Sequence, residues 1–388
     1  MSDANRKHPN RAARHHLITG FPAFLARRLV QQIVSSDPGA HLTLLVSPTL
    51  LKESQPQISA LRSAQLQVLT GDIVDMHLGL SGEEYQRICD EVTDIFHVGE
   101  LSDLSVPREM IWRANVEGTR NIIELARDCT RLHRLNHYST CYVSGERIGV
   151  IAEDELDLGQ SFRNAYEETK FHAEKLLQRV NGALPISIYR PSSVVGDSQT
   201  GEIDRFEGPY YLGILLAMSP LVVALPLPGD GTAPLNVVPV DFVTKGIWAL
   251  SRDPRAAGRT FHLVDPNPMS ARRAYEIIAE KEKKRLPRFS VSAKAAEVML
   301  RLPLLEKLSR PHRAAISYVN HLAIYNCRNT LELLDGTGIH CPPLTSYLDK
   351  LIAYVQEQYR RRRDEVNEVE DPLDQPLPDS LEGAPLHR

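Results

Sequence analysis

Apolar residues in the first two thirds of the chain recur with two different spacings. Short runs read as strands: His16-Leu17-Ile18-Thr19, His41 to Val46, Leu66 to Ile73, Asp94 to Gly99, Leu135 to Thr140, Pro185 to Pro191 and Thr260 to Asp265. Between them the apolar positions fall at helical intervals, as in Arg27 to Ile33, Asn115 to Ala126 and Tyr166 to Val180. Strands that alternate with helices predict right-handed parallel crossovers. The expected fold class is therefore α/β, a Rossmann-type doubly wound parallel sheet with a smaller, mostly helical C-terminal substrate-cap region.

The pattern divides the chain into four stretches. Residues 1–14 are polar and basic without an apolar core, and are expected to form a flexible tail rather than a secretory signal. Residues 15–265 carry the dinucleotide-binding domain, with a substrate-cap insertion at about 201–235. Asn236 to Val243 is expected to return the chain to the core, and Ser270 to cap a helix through Ala279. Residues 266–359 read as a helical substrate region, with amphipathic helices at Ala293 to Leu302, His312 to Tyr325 and Tyr347 to Tyr359, and another starting at Asn326 to Thr330. Residues 360–388, a basic run followed by an acidic tail, read as disordered.

Composition narrows the function. Of 388 residues, 42% are hydrophobic and 24% charged, with a net charge of −4, which gives no reason to expect nucleic acid as a partner. Five dispersed cysteines lack the spacing of a zinc or redox motif, so no metal is expected and a cytoplasmic location fits. The apolar run Tyr210 to Pro228 reaches membrane-span length, but Pro220, Pro226 and Pro228 interrupt it, so a buried helix and an extended segment are expected there. Basic residues on apolar helices in 280–358 leave peripheral membrane contact as an alternative to a solvated face. Nothing in the sequence specifies the oligomeric state.

The candidate chemistry centres on Tyr166 and Lys170. Four residues apart on a helix, they share one face. An ammonium beside a phenol favours the phenolate and poises the phenol as a proton donor to a carbonyl oxygen. Any helix can carry Tyr-x-x-x-Lys, so the surrounding motifs decide. Gly20-Phe21-Pro22-Ala23-Phe24-Leu25-Ala26 joins the first strand to the first helix, the place where a pyrophosphate meets a helix N-terminus. Gly20 keeps one of the three customary glycines, and Ala23 and Ala26 hold the other two positions. The tip of the second strand carries Ser47, with neither the acid that suits NAD nor the arginine that suits NADP. The missing acid tilts the expectation to NADP, with NAD the alternative, Ser47 and Thr49 as phosphate donors and Lys52 as a counter-charge. Asp72, in Gly71-Asp72-Ile73, is either an acceptor for the adenine amino group or a turn aspartate. His97 closes the fourth strand, where a ligand is expected. Thr140 ends the fifth and is expected to open toward the crevice. The acidic stretch Glu153 to Asp157 is expected to be a solvated loop edging the site.

The order of motifs resembles the extended short-chain dehydrogenase/reductase family over roughly residues 15–265. It rests on Thr19-Gly20-x-x-Ala23-x-x-Ala26, Gly71-Asp72, Asn115-Val116-x-Gly118-Thr119, Ser139-Thr140, Tyr166-x-x-x-Lys170 and Arg190-Pro191-Ser192. Within that family Gly71-Asp72-Ile73, Ile95-Phe96-His97-Val98 and Arg190-Pro191-Ser192-x-Val194-x-Gly196-Asp197 look like the thioester-reductase and fatty-acyl reductase branch with male-sterility-type NAD-binding domains. The resemblance implies an NAD(P)-dependent oxidoreductase. Tyr166 would be the general acid. Lys170 would bind the nicotinamide ribose and depress the Tyr166 pKa. Thr140 would hold the substrate oxygen, and Asn115 would order water or backbone behind them. The cofactor would lie along Gly20, Phe24, Leu25, Ser47, Asp72, Ile73, His97 and Lys170, with Ser192, Ser193 and Val194 lining the nicotinamide.

The expected substrate is small and acyl or lipid-like, because the cap candidates Phe206, Tyr210, Tyr211, Leu215 and Met218 are apolar. The leading expectation is NAD(P)H-dependent reduction of an acyl thioester or related lipid carbonyl. The alternatives are a 3-hydroxysteroid-type dehydrogenase, a nucleotide-sugar epimerase or dehydratase, and a non-catalytic cofactor-binding scaffold.

Overall fold

The computed structural model describes residues 14–61, 65–103, 105–204, 230–285, 318 and 320–369. Its first strand, β1 (His15–Thr19), shows why the sheet is covered on both faces. Leu17 and Ile18 are successive residues, so they point to opposite faces, yet both are fully buried. Leu17 packs with Ile95, Ile122 and Leu135, and Ile18 with Phe96, Val243 and Trp248. Strands buried on both faces belong to a parallel sheet sandwiched by helices.

The chain then runs through α1 (Phe24–Ser36), β2 (His41–Val46), α2 (Leu51–Ala60), β3 (Leu66–Thr70), α3 (Gly82–Glu91), β4 (Asp94–His97), α4 (Arg108–Trp112), α5 (Gly118–Asp128) and β5 (Arg134–Tyr138). It continues through β6 (Gly149–Ile151), α6 (Ala165–Val180), β7 (Ile186–Pro191), β8 (Ser193–Val195), β9 (Val237–Pro239), α7 (Val240–Arg252) and β10 (Arg259–Leu263). Among the described residues the main sheet has seven strands in the order β3-β2-β1-β4-β5-β7-β10, paired in parallel throughout. Strand order reverses between β1 and β4, so the crevice beyond their carboxyl ends is where a doubly wound sheet takes its ligand.

Residues after β10 do not stand apart from this sheet. The helix α8 (Ala271–Lys281) and the last helix, α10 (Leu348–Val369), pack Tyr275, Ile278, Leu348 and Leu351 against Val195 and Val237 of the β8–β9 pair. Between them, β11 (Ala323–Tyr325) pairs in parallel with β6, and α9 (Arg328–Leu334) adds Leu333 and Leu334 to the core around Ile18.

Several expectations change here. Ala323–Tyr325 is strand rather than the end of a helix, because Ala323 and Tyr325 bury themselves beside Ile151 of the partner strand. Glu153 is not part of a solvated loop. It is buried, and its carboxylate accepts the backbone N–H groups of His262, Asn329 and Thr330 at 2.9, 2.6 and 3.3 Å. The last helix continues past Tyr359 to Val369, where Glu357 pairs with Arg360 and Arg361 one turn on. The cap candidates, the apolar run Tyr210 to Pro228 and the predicted helix Ala293 to Leu302 lie outside the described residues. Among the described residues no helix is long and apolar enough to cross a membrane.

Candidate active site

Asn164 caps α6, its side-chain oxygen accepting the Glu167 N–H at 3.0 Å, and so fixes where the helix starts. From that start Tyr166 and Lys170 project on one face, toward the ends of β4 and β5. The Lys170 ammonium donates to the Tyr138 carbonyl at 2.6 Å, the last residue of β5. One turn further, Glu174 accepts the Ser139 hydroxyl. Two consecutive strand-end residues are thus held by α6, and Thr140 follows them directly. Thr140 is buried, and its hydroxyl oxygen accepts the Tyr142 N–H at 3.2 Å.

The Tyr166 hydroxyl donates to the carboxylate of Glu100, 3.2 and 3.1 Å from its two oxygens. The same carboxylate lies 3.0 Å from the Lys170 ammonium. Glu100 follows Gly99 just beyond β4, inside the crevice. This changes the electrostatics expected of the pair. Desolvation, then the Glu100 charge and hydrogen bond, push the Tyr166 phenol well above its ordinary value. The net push on the phenol is upward, and the Lys170 charge faces Glu100 and the Tyr138 carbonyl.

Behind the pair lies a rigid shelf. Asn115 sits in a single π-helical turn, Arg113–Glu117, between α4 and α5. Its side chain accepts the Leu101 N–H at 2.8 Å and donates to the Leu101 carbonyl at 3.1 Å and to Thr169 at 3.0 Å. Of the two expected roles, it orders backbone. His97 is fully buried. Its Nδ1 lies 2.9 Å from the Thr19 hydroxyl and its Nε2 3.1 Å from that of Thr119. The Thr119 hydroxyl donates to the Asn115 carbonyl, so it accepts from Nε2–H, and Nδ1 accepts from Thr19. Burial, with the Lys170 charge, holds this ring neutral, its pKa pushed down to about 3. Both ring nitrogens are used, so the His97 side chain braces the β1 and β4 tips and has no nitrogen left for a ligand.

The turn after β1 is built for close approach. Gly20 has φ +90°, and a Cβ on it would lie 2.6 Å from the Gly99 nitrogen. Only glycine fits where these two backbones cross. Phe24 and Leu25 open α1, both partly buried. That helix has no side-chain cap hydrogen bond and no acid in its first turn, so its N–H groups and positive end are available to an anion. Ile73 fills the space left by Gly99 and Gly118: a Cβ on those glycines would lie 3.3 and 2.9 Å from its Cδ1. Ser47 and Asp72 meet at the tips of β2 and β3, the Ser47 hydroxyl 3.3 Å from an Asp72 oxygen. At the far side of the crevice the Ser193 hydroxyl meets the Tyr142 hydroxyl at 2.8 Å, Val194 is partly buried, and the buried Ser192 hydroxyl has no partner among the described residues. The uncapped helix, the glycine crossing and this orphaned hydroxyl all fit an extended dinucleotide.

The sequence model of the male sterility protein family, an NAD-binding family, matches residues 18–247. The chain belongs to that family. Over 204 residues it is 29% identical to a linear gramicidin synthase of Brevibacillus parabrevis, covering 51% of this chain and 4% of that protein. A fatty acyl-CoA reductase of Drosophila melanogaster is 27% identical over 61% of this chain and 53% of its own length. The terminal R domain of the myxalamid biosynthetic pathway superposes with a TM-score of 0.74 at 27% identity, covering 90% of this chain and 92% of that one. The chain spans 4%, 20% and 28% of the first curated relatives it matches. As a male sterility family member, the chain has an NAD-binding domain of the extended short-chain dehydrogenase/reductase type, with NADP as its expected cofactor and NAD the alternative.

Sequence reasoning missed Glu100. Its position was visible, an ionisable residue just past a strand-terminal glycine. Its partners were not, because Tyr166 and Lys170 lie far along the chain.

Proposed function

We propose that this chain reduces an acyl thioester or a related lipid carbonyl, with NADPH as reductant. The observation that carries the proposal is the meeting of the Tyr166 hydroxyl and the Lys170 ammonium at one carboxylate just past β4, with Lys170 also bonded to the carbonyl that ends β5. Matches to a fatty acyl-CoA reductase and a biosynthetic R domain support the choice of substrate class.

In the crevice these residues would hold a dihydronicotinamide, which would supply hydride to the carbonyl carbon. The chain's residues supply position and protonation. The α1 N-terminus and the Gly20–Gly99 crossing receive the pyrophosphate. Ser192, Ser193 and Val194 border the nicotinamide. Lys170 presents its ammonium to ribose hydroxyls. Thr140 orients the carbonyl oxygen, and Tyr166 gives it a proton. Asn115 keeps the Leu101 backbone, and with it the floor of the site, in place.

The test is NADPH consumption across acyl-CoA, aldehyde, ketone and nucleotide-sugar panels, with products identified. Aldehyde or alcohol from an acyl-CoA supports the proposal. Turnover confined to a sterol or a nucleotide sugar would move the chain to another branch of the superfamily.

A further inference from the structure

We propose that Glu100 is a catalytic residue of this site, the group that returns a proton to Tyr166 after each turnover. The proposal rests on Tyr166 being the proton donor. Three observations support it. The carboxylate is the hydrogen-bond partner of the Tyr166 hydroxyl among the described residues, at 3.1 and 3.2 Å. Its side chain keeps 19% of its surface exposed, whereas that of Lys170 keeps 3%. Its backbone is clamped on both sides, the Gly99 N–H on the Thr19 hydroxyl at 3.1 Å and Leu101 on Asn115 at 2.8 Å. A carboxylate that touches both the phenol and solvent, on a stretch of chain held by a hydrogen bond on either side, is placed to carry protons between them.

Lys170 does not depend on Glu100 for a partner, because the Tyr138 carbonyl already accepts from it at 2.6 Å. An acid that served only to neutralise Lys170 would have no reason to place both oxygens on the phenol. The charged and titratable groups facing Glu100 are Tyr166 and Lys170 from α6 and Tyr138 from β5, with the neutral rings of His97 and His137 behind Lys170.

The proton balance closes. Reduction of a carbonyl adds hydride to carbon and one proton to oxygen; from a thioester, the hemithioacetal so formed then breaks its C–S bond, its hydroxyl proton leaving with the thiol, to give the aldehyde. The Tyr166 O–H bond breaks as the product O–H bond forms, leaving a phenolate. The Glu100 carboxylate takes a proton from solvent, and the carboxylic acid so formed passes it to the phenolate, which restores both groups to their starting states. A phenolate is a far stronger base than a carboxylate, so the transfer from Glu100 runs downhill. The proton consumed with each NADPH is the one that passes through Glu100.

The test compares wild type with Glu100→Gln, Glu100→Ala and Tyr166→Phe, using octanoyl-CoA and octanal as probes. The first readout needs no substrate: the phenol is titrated by ultraviolet difference absorbance in the ligand-free proteins. Glu100→Gln should bring one tyrosine ionisation down relative to wild type, and Tyr166→Phe should remove it. In stopped flow, the first turnover of Glu100→Ala should keep the wild-type rate while steady-state turnover falls ~10- to 100-fold. Acetate should restore Glu100→Ala and not Glu100→Gln, whose side chain fills the space. An unchanged steady state at every pH would overturn the proposal. So would a first turnover slowed as much as the steady state with no acetate rescue, since Glu100 would then only hold its neighbours. Wild-type turnover in Tyr166→Phe would instead overturn the proton-donor assignment, and the titration would still report whether the two groups are coupled.

Discussion

Arg190 and Glu174 form a two-pronged ion pair in the core, with Nη2 2.6 Å from Oε2 and Nε 2.9 Å from Oε1, their side chains 1% and 0% exposed. The same carboxylate accepts the Ser139 hydroxyl, and Arg190 also donates to the carbonyl of Glu155 at 2.9 Å. The pair therefore ties β7 to α6 and fixes the strand end next to Thr140. A buried pair loses most when only one partner is removed, because the other charge is left without compensation. Glu174→Leu should destabilise the fold by about 3–5 kcal/mol in urea denaturation, and the double variant Arg190→Met with Glu174→Leu should recover much of that loss. A single variant as stable as wild type would mean that the guanidinium finds other acceptors.

Tyr166→Phe should lower turnover ~10²- to 10⁴-fold, the range for one general acid. Stability should change by no more than about 1 kcal/mol, since the hydroxyl forfeits one hydrogen-bond partner. The pH profile carries a sign. A general acid works while protonated, and this phenol is pushed well above its ordinary value by desolvation and by Glu100. Its protonated range is extended upward, so the rate should hold through neutral and mildly alkaline pH. An alkaline loss of rate near neutrality, absent from Tyr166→Phe, would show that Lys170 outweighs Glu100 once the cofactor is bound.

The parallel sheet was legible because strands such as Leu42 to Val46 are apolar at every position but Thr43 and the helices between them keep a helical period. Both are local patterns. Tyr166 and Lys170 were legible for the same reason, one helix and one face. What escaped was non-local. The strand Ala323–Tyr325 has too few residues to show alternation, and it is strand only because β6 lies beside it. Glu153 sits in an acidic stretch that reads as solvated, and it is buried because N–H groups distant in sequence converge on it. His97 has the residue type of a ligand at the right strand end, yet hydroxyls from Thr19 and Thr119 engage both its nitrogens. Neither threonine announces this in the sequence.

Ser47 and Asp72 offer a test of cofactor preference. The Asp72 carboxylate lies 3.3 Å from the Ser47 hydroxyl, at the strand tips where the adenosine ribose is expected. A fixed negative charge there disfavours the 2′-phosphate of NADPH. Two unit charges ~4 Å apart in water repel by about 1 kcal/mol, roughly a fivefold change in affinity. Asp72→Asn should therefore shift the ratio of KM values for NADH and NADPH toward NADPH by about fivefold. An unchanged ratio would mean that this corner does not meet the ribose.

Glu153 offers a test of how the C-terminal segment is fastened to the sheet. One of its oxygens accepts the His262 N–H at 2.9 Å and the Thr330 hydroxyl at 3.1 Å, and the other accepts the Asn329 N–H at 2.6 Å. All the groups facing it are donors, so the site wants acceptors only. Glu153→Gln keeps the shape but turns one oxygen into an NH₂ group, which must face an N–H. The buried donor left without a partner costs about 1–3 kcal/mol. The expected result is a loss of that size in denaturant unfolding. The first turn of α9 is capped by this side chain, so amide hydrogen exchange at Asn329 and Thr330 should also speed up more than exchange in β1. Equal acceleration everywhere would mean that the substitution lowers global stability without loosening this junction, and Glu153 would then be a buried carboxylate of the sheet rather than the clasp that holds α9 to β10.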